Sequence, residues 1–79
     1  MKVKVISLKG VEFEGDAESF NVKTKIGEIT VLNHHLPLVT LLDKGTAKIG
    51  LLEGGIKEIE INSGFLEMDD KNILTVLKD

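Results

Sequence analysis

His34 and His35 are the only histidines, and they stand side by side. An imidazole pair is the first place to look for a metal or a general base. Neighbouring residues on a strand point to opposite faces, so one zinc would take both only if a loop gathered them. Helical zinc sites use histidines four apart, and the usual third ligand, Cys, is absent from the chain. Asp43 or Glu28 would have to arrive from elsewhere in the fold. The spacing therefore favours a loop or core hydrogen-bonding role for this pair over a metal site. The serines are Ser7, Ser19 and Ser63, and none lies in a Gly-x-Ser-x-Gly setting that would make a nucleophile. No glycine-rich run leads into a Gly-Lys-Ser or Gly-Lys-Thr phosphate loop. Asp69-Asp70 offers oxygen ligands but lacks the fixed spacing of a calcium loop, and reads as a charged hairpin tip. Glu12, Glu14, Asp16 and Glu18 alternate along one strand face and its turn, as a solvated outer surface does. Glu58 and Glu60 read the same way. The acids are numerous enough for a glycosidase pair, yet so small a domain has little room for a cleft between them. Glu28 with His35 and a distant acid is the remaining acid–base set. It requires those groups within hydrogen-bond reach.

Composition narrows the classes further. The chain has 79 residues, enough for one domain, read as residues 1–79. Its 42% hydrophobic and 29% charged residues give a globular balance. All ten basic residues are lysines, and the net charge is −3. No basic stripe or bidentate arginine is available for nucleic acid. Trp and Tyr are absent, so neither single strands nor sugar rings find a stacking platform beyond Phe13, Phe20 and Phe65. No apolar run approaches the roughly 18 residues of a membrane-spanning helix. The start, Met1-Lys2-Val3-Lys4, enters patterned sequence directly, without a signal-peptide hydrophobic region. A cytoplasmic setting is the expectation.

The elements that must position these residues are strands. Val3 and Val5, Val11 and Phe13, Phe20 and Val22, Ile29 and Val31, Ala47 through Leu51, and Ile59 and Ile61 each alternate with polar or small residues. That period of two marks half-buried strands. Residues 73–77 are β-rich but more continuously apolar. Breakers recur every five to twelve residues: Gly10, Gly15-Asp16, Gly27, Asn33 through Pro37, Asp43 to Gly45, Gly54-Gly55, Asn62 to Gly64 and Asp69 to Asn72. Gly54-Gly55 supplies the positive φ of a tight hairpin, and Asp70-Lys71-Asn72 a second turn. Leu36 through Leu42 is too short and Pro-interrupted for a helix. The pattern predicts an all-β fold, a two-sheet antiparallel β-sandwich of about ten short strands. Expected core positions are Val5, Phe13, Val22, Val31, Leu41, Ile49, Ile61, Leu66 and Val76. With no active site in view, the residues favour a binding or structural module over an enzyme.

Two segments carry a resemblance. Gly27-Glu28-Ile29-Thr30-Val31-Leu32-Asn33-His34-His35-Leu36-Pro37-Leu38-Val39-Thr40 resembles the Gly-Glu-x-Gly-x-x-Pro-x-His-x-Pro-Leu-x-Thr stretch of the epsilon subunit of F-type ATP synthase (delta in mitochondria). Ile61-Asn62-Ser63-Gly64-Phe65-Leu66-Glu67-Met68, its hairpin and Leu74-Thr75-Val76-Leu77 are similar to that family's Ser-Gly-Gly-Phe-Leu-Glu-Val, hairpin and Val-Thr-Val-Leu. The opening, Val3 through Gly15, fits as well, so the likeness covers the whole chain. Thr30, Asn33, Leu36 and Ser63 depart from the usual Gly, Pro, Ala and Gly, all in or beside loops. The resemblance implies a non-catalytic rotor subunit without cofactor or metal. It implies binding to the gamma subunit and contact with the membrane ring of c subunits, in the peripheral F1 sector at the cytoplasmic face of the inner membrane. It marks Gly27 and Glu28 as the first candidate ring contact. Asn33, His34, His35, Leu36, Pro37 and Leu38 form the second candidate surface, toward ring or gamma. His35 and Pro37 read equally as loop-shaping residues. Family members usually continue into an inhibitory, in some cases ATP-binding, helical hairpin; no such segment is in this sequence, and neither role is carried over. The rival expectation is a free-standing small sandwich that binds a ligand or a partner protein.

Overall fold

The computed structural model describes residues 1–79, all of them strand, turn or loop. Alternation forms the strands as expected, but there are eight of them rather than about ten, and one of the expected breaks is absent. Gly15-Asp16 does not interrupt the chain, and Gly10–Thr24 runs as one 15-residue strand. In chain order the strands are β1 (Lys2–Ser7), β2 (Gly10–Thr24), β3 (Gly27–Leu32), β4 (Leu38–Leu42), β5 (Gly45–Leu51), β6 (Ile56–Ile61), β7 (Gly64–Met68) and β8 (Ile73–Lys78). The long β2 serves both halves of the sandwich. Its first half pairs with β1, and its second half pairs with β3 and β5. The register slips between Val5 and Ile6 opposite β2, and again between Ala17 and Ser19 opposite β5. Such bulges bend a strand and add twist, which lets one strand turn from sheet to sheet.

The ladder runs β1-β8-β7-β4-β2-β5-β6, with β3 on β2 and β1 closing back onto β2. One half of the sandwich is therefore β1, β8, β7 and β4; the other is β3, the end of β2, β5 and β6. The β1–β8 pair runs parallel, a departure from the antiparallel expectation. The β4–β2 seam is a single Cα pair, Thr24 with Leu42. Two flanking backbone bonds extend it: Lys25 N–H donates to the Leu41 carbonyl at 3.1 Å, and Asp43 N–H to the Lys23 carbonyl at 2.9 Å.

Between the two halves lies one core. It includes Val3, Val5, Phe20, Val22, Val31, Leu42, Ile49, Ile61, Leu66, Met68, Leu74 and Val76. Two expected core positions need correction. Leu41 is 62% exposed and its neighbour Leu42 is the buried one. An apolar doublet gives no hint of which member faces inward, and a one-residue shift exchanges the faces. Phe13 is half-buried and packs at the margin of the core, beside the first bulge. The buried polar residue Thr24 is satisfied: its hydroxyl donates to the Gly27 carbonyl and accepts Ile26 N–H at 3.2 Å.

Candidate functional site

The candidate residues fall at the two ends of β3. Gly27 opens the strand with φ 129°, following the turn after Thr24. Glu28 is next, opposite Lys23 of β2. Its carboxylate accepts a hydrogen bond from Asn21 Nδ2 at 3.0 Å, and the same nitrogen donates to Thr30 Oγ1 at 2.9 Å. Glu28 thus lies on the outer face of the β3–β2–β5–β6 half. There it borders a wholly polar depression of about 410 Å³ lined by Asn21, Lys23, Glu28, Gly45, Thr46, Lys48 and Glu58. Nearby, Lys25 Nζ lies 3.0 Å from Asp43 Oδ1 and ties the β2–β3 turn to the end of β4. That hydrogen bond, with the Lys44 N–H and the Lys25 charge, holds the Asp43 carboxyl below its ordinary range.

Asn33 through Leu38 follow the other end of β3. The strand rise places Leu32 about 13 Å from Glu28 along β3. His35 N–H donates to the Leu32 carbonyl at 3.1 Å and closes a turn. His34 sits inside that turn at φ 62°. The His35 ring is paired locally, with Nδ1 2.7 Å from the Leu36 carbonyl oxygen. Asn33 Oδ1 accepts from the Met1 ammonium at 2.7 Å and from Asn72 Nδ2 at 2.8 Å. Leu36 projects from the loop with 78% of its surface exposed. Pro37 and Leu38 border a shallow hollow of about 420 Å³ shared with Val39, Glu67, Met68, Asp69 and Asp70.

This arrangement removes the acid–base reading. Glu28 spends its carboxylate on Asn21, His35 its Nδ1 on Leu36, and the length of β3 lies between them. Neither histidine belongs to a group of three or more metal-ligating side chains.

A further surface was not anticipated from the sequence. On the outer face of the β1–β8–β7–β4 half, Leu41 pairs with Phe65, Phe65 with Leu77, Leu77 with Ile6, and Ile6 with Val11. These five form one apolar row across five strands. Leu41, Val11, Phe65 and Leu77 are exposed, and Ile6 is half-buried. Cross-strand neighbours stand about 4.5–5.5 Å apart at Cβ, so the row is contiguous. The signal was present in the doublets Val5-Ile6, Leu41-Leu42, Phe65-Leu66 and Val76-Leu77. In each, one member is needed for the core and the other has nowhere to go but the surface. The opposite outer face is polar at its centre, with Lys48 between Asn21 and Glu58 and Thr46 opposite Glu60, while Leu32 and Ile56 are exposed on its β3 and β6 edges. Beside the apolar row, Lys78 Nζ lies 3.1 Å from Glu12 Oε2. Hydrogen bonding from Ser7 and Lys78 lowers the Glu12 carboxyl from its ordinary range.

The β-sandwich is the feature that defines a class here. All of residues 1–79 match the family described as ATP synthase, Delta/Epsilon chain, beta-sandwich domain, and the chain belongs to that family. Among its relatives are proteins named ATP synthase epsilon chain. That of Exiguobacterium sp. is 39% identical over 66 residues, covering 84% of this chain and 48% of the relative. That of Sulfurimonas denitrificans is 30% identical over 78 residues, covering 99% and 60%. That of Bordetella petrii is 33% identical over 79 residues, covering 100% and 55%. The chain therefore spans roughly half the length of the curated relatives it matches. A chain in the structure of the Euglena gracilis mitochondrial ATP synthase (OSCP/F1/c-ring) superposes with TM-score 0.89 at 18% identity, over 96% of this chain and 48% of that one. One in the Tetrahymena thermophila mitochondrial ATP synthase central stalk and c-ring superposes with TM-score 0.84 at 15% identity, over 99% and 62%. At these identities the structural likeness speaks for the fold alone.

Proposed function

We propose that this domain is a non-catalytic rotor module of an F-type ATP synthase, joining the gamma subunit to the c ring so that ion-driven rotation reaches the catalytic head. The observation that carries the reading is the apolar row of Ile6, Val11, Leu41, Phe65 and Leu77. Contiguous exposed apolar surface marks an interaction site. A small domain gains stability from a partner that binds only its folded state. The row is assigned to gamma. The c ring is assigned to the free edge of β3, which pairs only with β2. If β3 lies along the ring, one flat partner reaches Gly27 and Glu28 at one end and Asn33 through Leu38 at the other. Glu28 meets lysine or arginine on the ring's polar loops. An exposed pair of that kind contributes about 0–1 kcal/mol and sets orientation more than affinity. In this role the domain is peripheral to the membrane, on its cytoplasmic face, held there through the complex.

The test is co-purification of the domain with gamma and the c ring from its own source, alongside an ATPase assay of the domain alone. Stoichiometric capture without turnover is expected. In the same assay Glu28→Ala keeps the fold and lowers recovery of the ring only modestly, by at most about fivefold, as an exposed ion pair allows. A monomer that neither partner captures would overturn the reading.

A further inference from the structure

The loop between β3 and β4 is exposed from Asn33 to Pro37, yet it must hold one shape to meet a partner repeatedly. Its internal bonds are few: His35 N–H to the Leu32 carbonyl, and the His35 ring to the Leu36 carbonyl. The N-terminus supplies one more, the Met1 ammonium donating to Asn33 Oδ1 at 2.7 Å, and the β7–β8 turn supplies the rest. Asn72 reaches across a sequence separation of 38 residues, where its Oδ1 accepts the His34 N–H at 2.7 Å. Its Nδ2 donates to Asn33 Oδ1 at 2.8 Å. One carboxamide therefore grips two consecutive loop residues, one by backbone and one by side chain. The residue gripped by its backbone is His34, held at φ 62°, a conformation uncommon for non-glycine residues although His adopts it more readily than most.

The grip is mounted on a rigid base. Asn72 is itself left-handed at φ 66°, which Asn tolerates better than most residues. Its carbonyl accepts Lys2 N–H at 3.1 Å, which fixes it to β1. The Asp69 carboxylate accepts Lys71 N–H at 2.8 Å and Ile73 N–H at 3.0 Å on either side of it. Position thus passes from two strands, through one turn, to the exposed loop.

We infer that Asn72 is the positioning residue of the β3–β4 loop, holding His34 through Leu38 in the pose that meets the c ring. The inference rests on the proposed ring contact of that loop. Asn72→Gly keeps the left-handed backbone and removes both grips. In the gamma-bound domain, this variant is expected to speed hydrogen exchange of the His34 amide at least tenfold while the amides of β8 keep their rates. Its affinity for the isolated c ring falls at least fivefold, and affinity for gamma stays within twofold. Asn72→Asp, which keeps the acceptor for His34 N–H, recovers slow exchange at His34 and part of the ring affinity. This second variant also serves should Asn72→Gly fold poorly. Unchanged His34 exchange, or freed exchange with unchanged ring affinity, overturns the positioning role. The paired truncation His35→Ala with Leu36→Ala separates the two ideas. If it weakens ring binding while Asn72→Gly does not, only the positioning role fails. If it binds the ring as tightly as the parent, the loop is no contact and both fail.

Discussion

Ile61 closes β6 with 2% of its surface exposed, packed in the core between the two halves. Ile61→Ala leaves a cavity there, and in so small a domain the expected cost is about 2–5 kcal/mol. Urea unfolding of the variant measures it; a loss below about 1 kcal/mol would mean that the side chain does not pack as described. Ile61, with Val22 and Ile49, could be read from alternation, because neighbours that are polar or glycine on both sides leave a single choice of face. Leu41 could not, because Leu41-Leu42 satisfies either register. The left-handed His34 was hidden for a different reason. The residue is neither Gly nor Asn, and its holder, Asn72, is distant in sequence and reaches it only in the folded chain. The candidate contacts Glu28 and Asn33 through Leu38 were found through family likeness. No pattern of charge or spacing in the chain itself singles them out.

At the scale of elements, β2 determines the architecture. The turn signal at Gly15-Asp16 is local, whereas the pairing of β2 with β1, β3 and β5 is not, and the non-local hydrogen bonds prevail. The sequence pattern therefore showed the sandwich but split its longest strand in two. The ends of this arrangement are tied by charge. Lys78 of β8 reaches Glu12 of β2 across the end of β1. Because the Glu12 carboxyl is lowered on folding, its contribution is present above the unfolded value of about 4.3 and is lost as pH falls through the lower folded value. Glu12→Gln is therefore expected to lower Tm at pH 7, by at most about 5 °C for a partly exposed pair. The gap between variant and parent should close as pH drops below about 4. Thermal melts from pH 7 to pH 3 test this. A gap that widens toward acid would show that the pair does not act as described.

The whole molecule, 26 × 24 × 19 Å, presents two outer faces of opposite character. One carries the apolar row from Val11 to Leu41; the other carries Lys23, Lys48, Glu28 and Glu58 around a polar depression. Water covers the second face at little cost, whereas the first gains from a partner. Gamma is therefore expected on the row, leaving the edge of β3 free for the ring. The most direct measurement is the affinity of the domain for its gamma subunit in two variants. Leu41→Ser with Phe65→Ser removes the centre of the row. Lys48→Ala with Glu58→Ala strips the polar face. The row variant is expected to bind at least tenfold more weakly with its fold intact by circular dichroism, and the polar-face variant within twofold of the parent. The opposite order, or equal affinities for both, would contradict a gamma-binding role for the apolar face.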